Sequence, residues 1–555
     1  MPGGLLNIVS EGNNNVILTG NPTKTFFNVS YSKYTNFGLQ KFRLDYDGSR
    51  DLRLTTPSQF KFKVKRYADL LMDTYLVLTL PDIWSPFYEP SYNTNNQWVP
   101  YEFRWIRDIG TQIIQEIEIV CGAFTLQRYS GDYLAAMVER DFSAEKRDLF
   151  NKMTGNVPEL YDPANAYGRV NCYPSTYYTD NPAGAEPSIR SRQLFIPINT
   201  WFSLDSRCAF PLVALQYNEL EINVTLRPIQ ELFQIRDIYD QGNGYPYVQP
   251  DFTRQEMQLY RFLQTPPSIF MESQNYRNQT NIWNADVHLM ATYCFLSKQE
   301  TELFAAKDQL YLIKDVFRYK FENVTGSSRL DVKSTGMVAS WMWYLQRNDV
   351  NLRNEWSNYT NWPYDIPPLN IMPAPPTIPA EFVDAATAAG FTTGPQIQPN
   401  TNYNSGYFYT GDFAVDNQRE ILQTMGILLN GEYRENTLVS GIYNYIEKYV
   451  RTQGSAKEGL YCYNFCLNTS PFEYQPSGAI NMSKFNTIEL EITTYTPPFS
   501  PNSNINVICD GNGNPIGISK QNWRLFDYNY NLVLHEERYN ILSFIGGNCG
   551  LLYAR

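Results

Sequence analysis

The clearest pattern in the chain is a strict alternation of polar and apolar residues over Glu219-Leu220-Glu221-Ile222-Asn223-Val224-Thr225-Leu226. A period of two puts the four apolar side chains on one face and predicts a β-strand with one wet face. Just before it, Phe210-Pro211-Leu212-Val213-Ala214-Leu215 is almost wholly apolar, which predicts a strand buried on both faces. The alternating run returns about 270 residues later, where Glu489-Leu490-Glu491-Ile492 repeats Glu219-Leu220-Glu221-Ile222. Recurrence near the ends of two long β-rich regions predicts one β-sandwich module used twice.

The same reading predicts first-region strands near 58–65, 75–80, 113–121, 193–199 and 210–226. Second-region strands are predicted at 283–296, 309–321, 337–346, 459–468, 485–495, 504–509 and 540–545. One helix should follow the capping residues Asp141-Phe142-Ser143, with Leu149, Phe150 and Met153 as its apolar stripe and Gly155 at its end. Residues 156–190 read as a long ordered loop, and Arg227-Pro228 with Gly242-Asn243-Gly244-Tyr245-Pro246 separates the regions. A proline-rich interruption, 350–425, would project from one end of a sandwich.

A chain of 555 residues exceeds one hydrophobic core, so at least two domains are expected. Aromatic residues make up 15 % and charged residues only 18 %, which favours strands and protein–protein surface. A net charge of −11 repels phosphate, so no direct nucleic-acid binding is expected. The run Lys61-Phe62-Lys63-Val64-Lys65-Arg66 reads as a strand with one solvated cationic face. No stretch has the roughly 18 consecutive apolar residues of a membrane span, and Met1-Pro2-Gly3-Gly4-Leu5-Leu6-Asn7 does not resemble a signal peptide. Synthesis in the cytosol and buried, reduced cysteines are the corresponding expectations.

Two histidines, His288 and His535, leave little for a catalytic triad or a zinc site. Ser143-Ala144-Glu145-Lys146 has a Ser-x-x-Lys spelling that helix capping explains better. Asp510-Gly511-Asn512-Gly513-Asn514 lacks the glycine and glutamate of a calcium loop and reads as a hairpin turn. The pairs Glu116/Glu118, Glu219/Glu221 and Glu489/Glu491 have the spacing of one strand face, as a generic wet surface would. No catalytic, cofactor or metal residue is assigned, and the chain is not expected to be an enzyme. Among the Asn-x-Ser/Thr sites, Asn278 and Asn358 are the candidates for glycosylation. An alternative reading, a carbohydrate-binding or glycan-active double sandwich, rests on Trp341, Trp343, Trp356 and Trp362.

Several blocks together resemble a known family. They are Gly20-Asn21-Pro22-Thr23-Lys24-Thr25-Phe26-Phe27 with Asn36-Phe37; Asp69-Leu70-Leu71; Cys121-Gly122; and Pro211-Leu212-Val213-Ala214-Leu215-Gln216-Tyr217. Later come Asn430-Gly431; Pro476-Ser477-Gly478; and Asn540 with Gly546-Gly547. In this order they are similar to the major capsid proteins of the nucleocytoplasmic large DNA viruses, with Asn218 standing where that family often has histidine. The resemblance implies an all-β chain of two consecutive eight-stranded jelly rolls with long loop insertions and a few short helices. Residues 1–24 would form an N-terminal arm, 25–228 the first jelly roll, 229–255 a connection, and 256–555 the second. It further implies a structural protein of the virion's outer icosahedral capsid, assembled in the host cytoplasm. Homotrimers would form pseudo-hexameric capsomers with lateral contacts to one another. Minor capsid proteins or an internal membrane would lie on the inner side. A minor or vertex shell protein of the same lineage is the nearest variant of this reading.

Overall fold

The computed structural model describes residues 12–553 except 47, 49–50, 86, 89–98, 170–171, 175, 177–185, 238–239, 241–245, 267–275, 367–418, 474, 498–504, 510–514 and 521–527. The first residues of the expected arm, the turns at 242–245 and 510–514 and most of the 350–425 interruption lie outside the described residues.

Sixteen strands build two modules with one topology. The first eight are β1 (Phe37–Asp45), β2 (Ser58–Lys63), β3 (Leu70–Leu80), β4 (Ile114–Cys121), β5 (Phe124–Tyr129), β6 (Arg192–Pro197), β7 (Leu220–Leu226) and β8 (His288–Leu296). They pair antiparallel as β1-β8-β3-β6 and β2-β7-β4-β5. The second eight are β9 (Gln309–Phe321), β10 (Ser327–Asp331), β11 (Met337–Arg347), β12 (Leu422–Leu429), β13 (Glu432–Val439), β14 (Leu460–Asn464), β15 (Ile488–Thr494) and β16 (Tyr530–Ile545). Their sheets are β9-β16-β11-β14 and β10-β15-β12-β13, the first order shifted by eight. Two four-stranded sheets of this order, face to face, make a jelly roll; the chain is a double jelly roll.

The recurring Glu-Leu-Glu-Ile therefore marks the seventh strand of each module. In β7, Leu220, Ile222, Val224 and Leu226 are buried and the residues between them half-buried; in β15, Ile488, Leu490 and Ile492 repeat the pattern. The wet-face carboxylates meet cations across the sheet: Glu116 and Glu118 face Arg128, and Glu491 lies 3.1 Å from Arg329. In β2, Phe60 and Phe62 are buried while Lys61 and Lys63 are exposed, the expected cationic face.

Three expectations are corrected. The strand at 288–296, expected to open the second module, lies between β1 and β3 of the first, with Leu289 opposite both Leu44 and Leu76. The sheets therefore part after residue 296 and not near 256. The apolar run 210–215 is no full strand, since only Phe210 and Pro211 pair, with Leu71 and Leu70, before a 3-10 turn at Leu212–Ala214. Its hydrophobicity has another cause: Phe210 packs edge-on against Phe544 of the second module at 5.1 Å. On the helix Ala144–Thr154, Ser143 caps through Lys146 N and Gly155 ends it with φ 79°, but Leu149 faces solvent.

The composition also conceals elements. Helix α1 (Gly131–Asp141), which precedes α2 (Ala144–Thr154), and the strands β1, β5, β10, β12 and β13 have no clean period. Strand β16 begins at Tyr530, ten residues before the apolar run that announces it. Helix α1 starts in close contact with the chain before β4, because a Cβ on Gly131 would sit 1.8 Å from the Thr111 carbonyl oxygen. Gly131→Ala should accordingly lower stability by about 2–3 kcal/mol, read as a drop in the urea midpoint; an unchanged midpoint would show that this contact is not maintained.

Candidate functional site

In a fold built of two packed sandwiches, the informative site is the seam between modules. One sheet of the second module, β9-β16-β11-β14, has both faces covered. Trp341, Trp343, Leu345, Leu532 and Leu534 point into the second module's own core. Their neighbours Met342, Tyr344 and Val533 join the cluster that fills the first module. Alternate residues serve two cores, so β11 reads as an unbroken apolar strand. Trp341 and Trp343 are thereby interior packing residues, with the Trp341 indole N–H donating to Glu536 Oε2 at 2.7 Å. That removes them from any sugar-binding cleft.

Helix α1 covers the outer face of this sheet and carries charge into the seam. Arg140 Nη2 lies 2.6 Å from Asp141 Oδ2 and 2.9 Å from Glu537 Oε1, and its Nη1 donates to Ser340 Oγ at 3.1 Å. All three charged groups are buried. The Tyr133 and Ser340 hydroxyls donate to Glu537 at 2.8 and 2.7 Å, and the Thr469 hydroxyl donates to Asp141 at 2.5 Å. A second cluster joins Asp132 to Arg318 at 3.0 Å, the Tyr344 hydroxyl at 2.5 Å and the His535 ring at 3.5 Å. With Lys314 3.9 Å from Glu537, three cations face three carboxylates.

Burial opposes ionisation of Glu537, but Arg140 and Lys314, with the Ser340 and Tyr133 hydroxyls, hold its carboxyl down at about 2. Burial likewise opposes the charge on Asp132, and Arg318 with His535 holds it well below the usual range. Asp141 moves the other way, raised by burial that Arg140 offsets only in part. Burial and the Glu537 charge raise the Tyr133 phenol, keeping it protonated as a donor. Such networks add little net stability over apolar packing, but removing one partner leaves the others buried and unpaired.

Several family-block residues meet at this seam. Gln216 N and Tyr217 N donate to the Gly547 carbonyl at 2.9 and 3.3 Å. Gly546 and Gly547, at φ 58° and 80°, turn β16 into the final strand β17 (Asn548–Leu551). A Cβ on Gly547 would meet Gln216 Cβ at 2.7 Å, so glycine is required on both counts. Asn218 adds a 3.5 Å contact to Asn548. Leu212 and Leu215 are buried in the same cluster.

The other block residues serve single modules. Asp69 accepts Leu296 N at 2.9 Å and so fixes the end of β8, while Leu70 pairs with Pro211 and Cys294. Gly122 turns β4 into β5 at φ 62°. Asn430 and Gly431, both at positive φ, turn β12 into β13, and the Asn430 side chain accepts Asn486 N at 2.7 Å. Ser477 exchanges hydrogen bonds with Asn468, beside exposed Pro476 and Gly478. Asn540 anchors Tyr553. Gly20, Asn21, Pro22, Phe26, Phe27, Asn36 and Phe37 are exposed and are not brought to the seam. Asn278 is exposed. The Asn358 expectation is corrected: its side chain is buried, donates to Trp362 O and accepts from Thr360, leaving no room for a glycan.

Arg140 and Glu537 bind the modules with no motif to mark them, and Asp141, expected as a helix cap, instead ends α1 and pairs with Arg140. The available signal was charge inside otherwise apolar runs, as in Leu532-Val533-Leu534-His535-Glu536-Glu537.

Two family models match the chain, the major capsid protein N-terminus over residues 25–263 and the large eukaryotic DNA virus major capsid protein over 300–550. The major capsid protein of Phaeocystis pouchetii virus is 24 % identical over 592 residues, 99 % of either chain. That of Paramecium bursaria Chlorella virus 1 is 24 % identical over 565 residues and the full length of both. Among solved structures, the PBCV-1 virus capsid superposes with a TM-score of 0.58 at 19 % identity, over 96 % of this chain and all of that one. The Faustovirus major capsid protein gives 0.56 at 12 % identity over 98 % of each.

Arg140→Met strands two buried carboxylates and should cost about 3–5 kcal/mol in chemical denaturation. Acid should also loosen the seam. The Glu537 contribution is complete above its ordinary value of 4.5 and is lost as pH falls towards about 2, with Asp141 offsetting part of the loss. Thermal unfolding followed from pH 6 to about pH 2 should show this slope, and it should be shallower in Glu537→Gln.

Proposed function

The chain belongs to the major capsid proteins of the large eukaryotic DNA viruses, and from that premise we propose that it forms homotrimers in which six similar modules surround one axis. These capsomers would tile an icosahedral shell through weaker lateral contacts. The protein's part is structural and made of surfaces.

The observation that carries this reading is an imbalance between equivalent faces. Within the chain, the helix after the fifth strand of the first module, α1 following β5, packs on the outer face of β9-β16-β11-β14. In the second module the segment after β13 is also helical, a π turn (Ile442–Ile446) running into the helix Glu447–Arg451. Its Tyr445, Ile446, Tyr449 and Val450 are exposed, Tyr449 to 91 %. The outer face of β1-β8-β3-β6 is covered in part, by a small cluster of Leu70, Ala209 and Cys294, and Phe37 and Leu39 stand exposed on β1. Docking that helix of one copy on this sheet of the next repeats the seam between copies. A head-to-tail contact forms a ring when its rotation closes, and the proposed trimer requires closure after three chains. The exposed arm ahead of β1 would then be available to minor capsid proteins or an internal membrane on the inner side, with assembly in the host cytoplasm.

Sedimentation of the purified protein should give three times 64.3 kDa, about 193 kDa. Ile446→Asp with Tyr449→Glu should shift it to the monomer while leaving the unfolding midpoint within about 0.5 kcal/mol of wild type, since both side chains are exposed. A trimer that survives both changes would place the contact elsewhere.

A further inference from the structure

The seven described cysteines are free thiols, and two of them, from different modules, meet at the seam. Cys121 is the last residue of β4 in the first module, opposite Leu220 of β7. Cys549 lies in β17 of the second, opposite Phe544 of β16. More than four hundred residues separate them in the chain. The corner where Gln216 meets Gly547 brings them together. Gly122 follows Cys121, and a Cβ there would sit 2.8 Å from Asn218 Oδ1. Asn218 in turn contacts Asn548, the residue before Cys549, at 3.5 Å. Both thiols are buried in the cluster that fills the first module, and the Cys549 S–H donates to the Cys121 sulfur.

The two thiols are chemically unequal. The hydrogen bond from Cys549 lowers the Cys121 thiol, burial opposes that, and the Arg66 charge adds to it. Arg66 is held at the corner by donating to Asn218 O at 2.7 Å. Cys549 is raised, by its bond to Cys121 and by burial. Cys121 is therefore the nucleophile of the pair and Cys549 the resolving thiol. Access comes through β17, which has 4 residues and, among the described residues, pairs only with β16. Short edge strands open at low cost. Phe124, opposite Cys121, and Tyr217, beside Gly547, are both exposed, so the pair lies close beneath the surface.

We propose that Cys121 and Cys549 form a disulfide that joins the two modules covalently when the folded chain meets hydrogen peroxide. Cys121 attacks one peroxide oxygen as its thiolate. An S–O bond forms, the O–O bond breaks, and the departing hydroxide takes up the proton that the thiol gave up. Cys549 then attacks the Cys121 sulfur. The S–S bond forms, the S–O bond breaks, and the second hydroxide leaves as water with the Cys549 proton. Two thiols and one peroxide become one disulfide and two waters, with sulfur oxidised and oxygen reduced. Reducing surroundings keep the pair open while the chain folds, and oxidising surroundings close it afterwards. The inference does not depend on trimer formation.

Purified, reduced full-length protein treated with hydrogen peroxide under native conditions tests it. Trypsin without reductant should then release the peptide Asp108–Arg128 linked to Tyr539–Arg555, each of which contains one cysteine. Reductant should separate the two. In Cys549→Ser the link should be lost, and Cys121 should accumulate as a sulfenic acid that dimedone traps. Failure to trap it there overturns the assigned order of attack. If this variant does not fold, the wild-type digest alone decides. Cys121 and Cys549 both still open to alkylation after peroxide, or either linked to a different cysteine, overturns the proposal.

Discussion

Everything distinctive about this chain follows from one sheet that must be buried twice. The β9-β16-β11-β14 sheet gives one face to its own sandwich and the other to the first module. A jelly roll standing alone would keep that second face wet. Here it is roofed by α1 and by the Phe210–Tyr217 corner, and so it can hold groups that water would otherwise solvate. The consequence is chemical as well as geometric. Arg140, Asp141 and Glu537 are interior residues, and each needs partners on the opposite module to remain so. Apolar contact and the ion network both cross the seam between the halves.

How far this was legible in the sequence can be followed residue by residue. Strands with one wet face, such as β7 and β15, announce themselves because burial on one side imprints a period of two. Strand β9 was bounded correctly from its composition, and β11 within a residue. The eighth strand was seen as a strand but assigned to the wrong module, since nothing in His288–Leu296 itself says which neighbours it will take. Pairing is a property of the whole chain. The family model for the N-terminal half likewise ends at residue 263, before β8. Phe210–Leu215 misled for a related reason: apolar residues report burial, and burial by a neighbouring module leaves the same trace as burial within a sheet.

The seam was the least legible part. Helix α1 carries Asp132, Arg140 and Asp141 within eleven residues, which in isolation reads as a solvated surface helix. Its charges make sense only beside Arg318, Ser340 and Glu537, each about two hundred residues or more away in the chain. The block residues were easier because their constraint is local. Gly547 and Asn430 sit in two-residue turns whose backbone few residues tolerate, whereas Asn358 looked accessible in sequence and is enclosed by its own loop.

The place of β8 also bears on how the protein is made. It is an interior strand, flanked by β1 and β3, yet it is translated only after the whole excursion that follows β7. Until it emerges from the ribosome, the first sandwich has a gap in the middle of one sheet and two open strand edges facing it. Closing that gap joins the oldest strand to one of the middle-born ones, a contact of long sequence separation that forms slowly. By the time it forms, β9 is already following close behind. Nascent chains are thus exposed to wrong edge-to-edge pairing for a defined interval of synthesis, and the timing of one strand sets when each half of the molecule becomes safe from its neighbours.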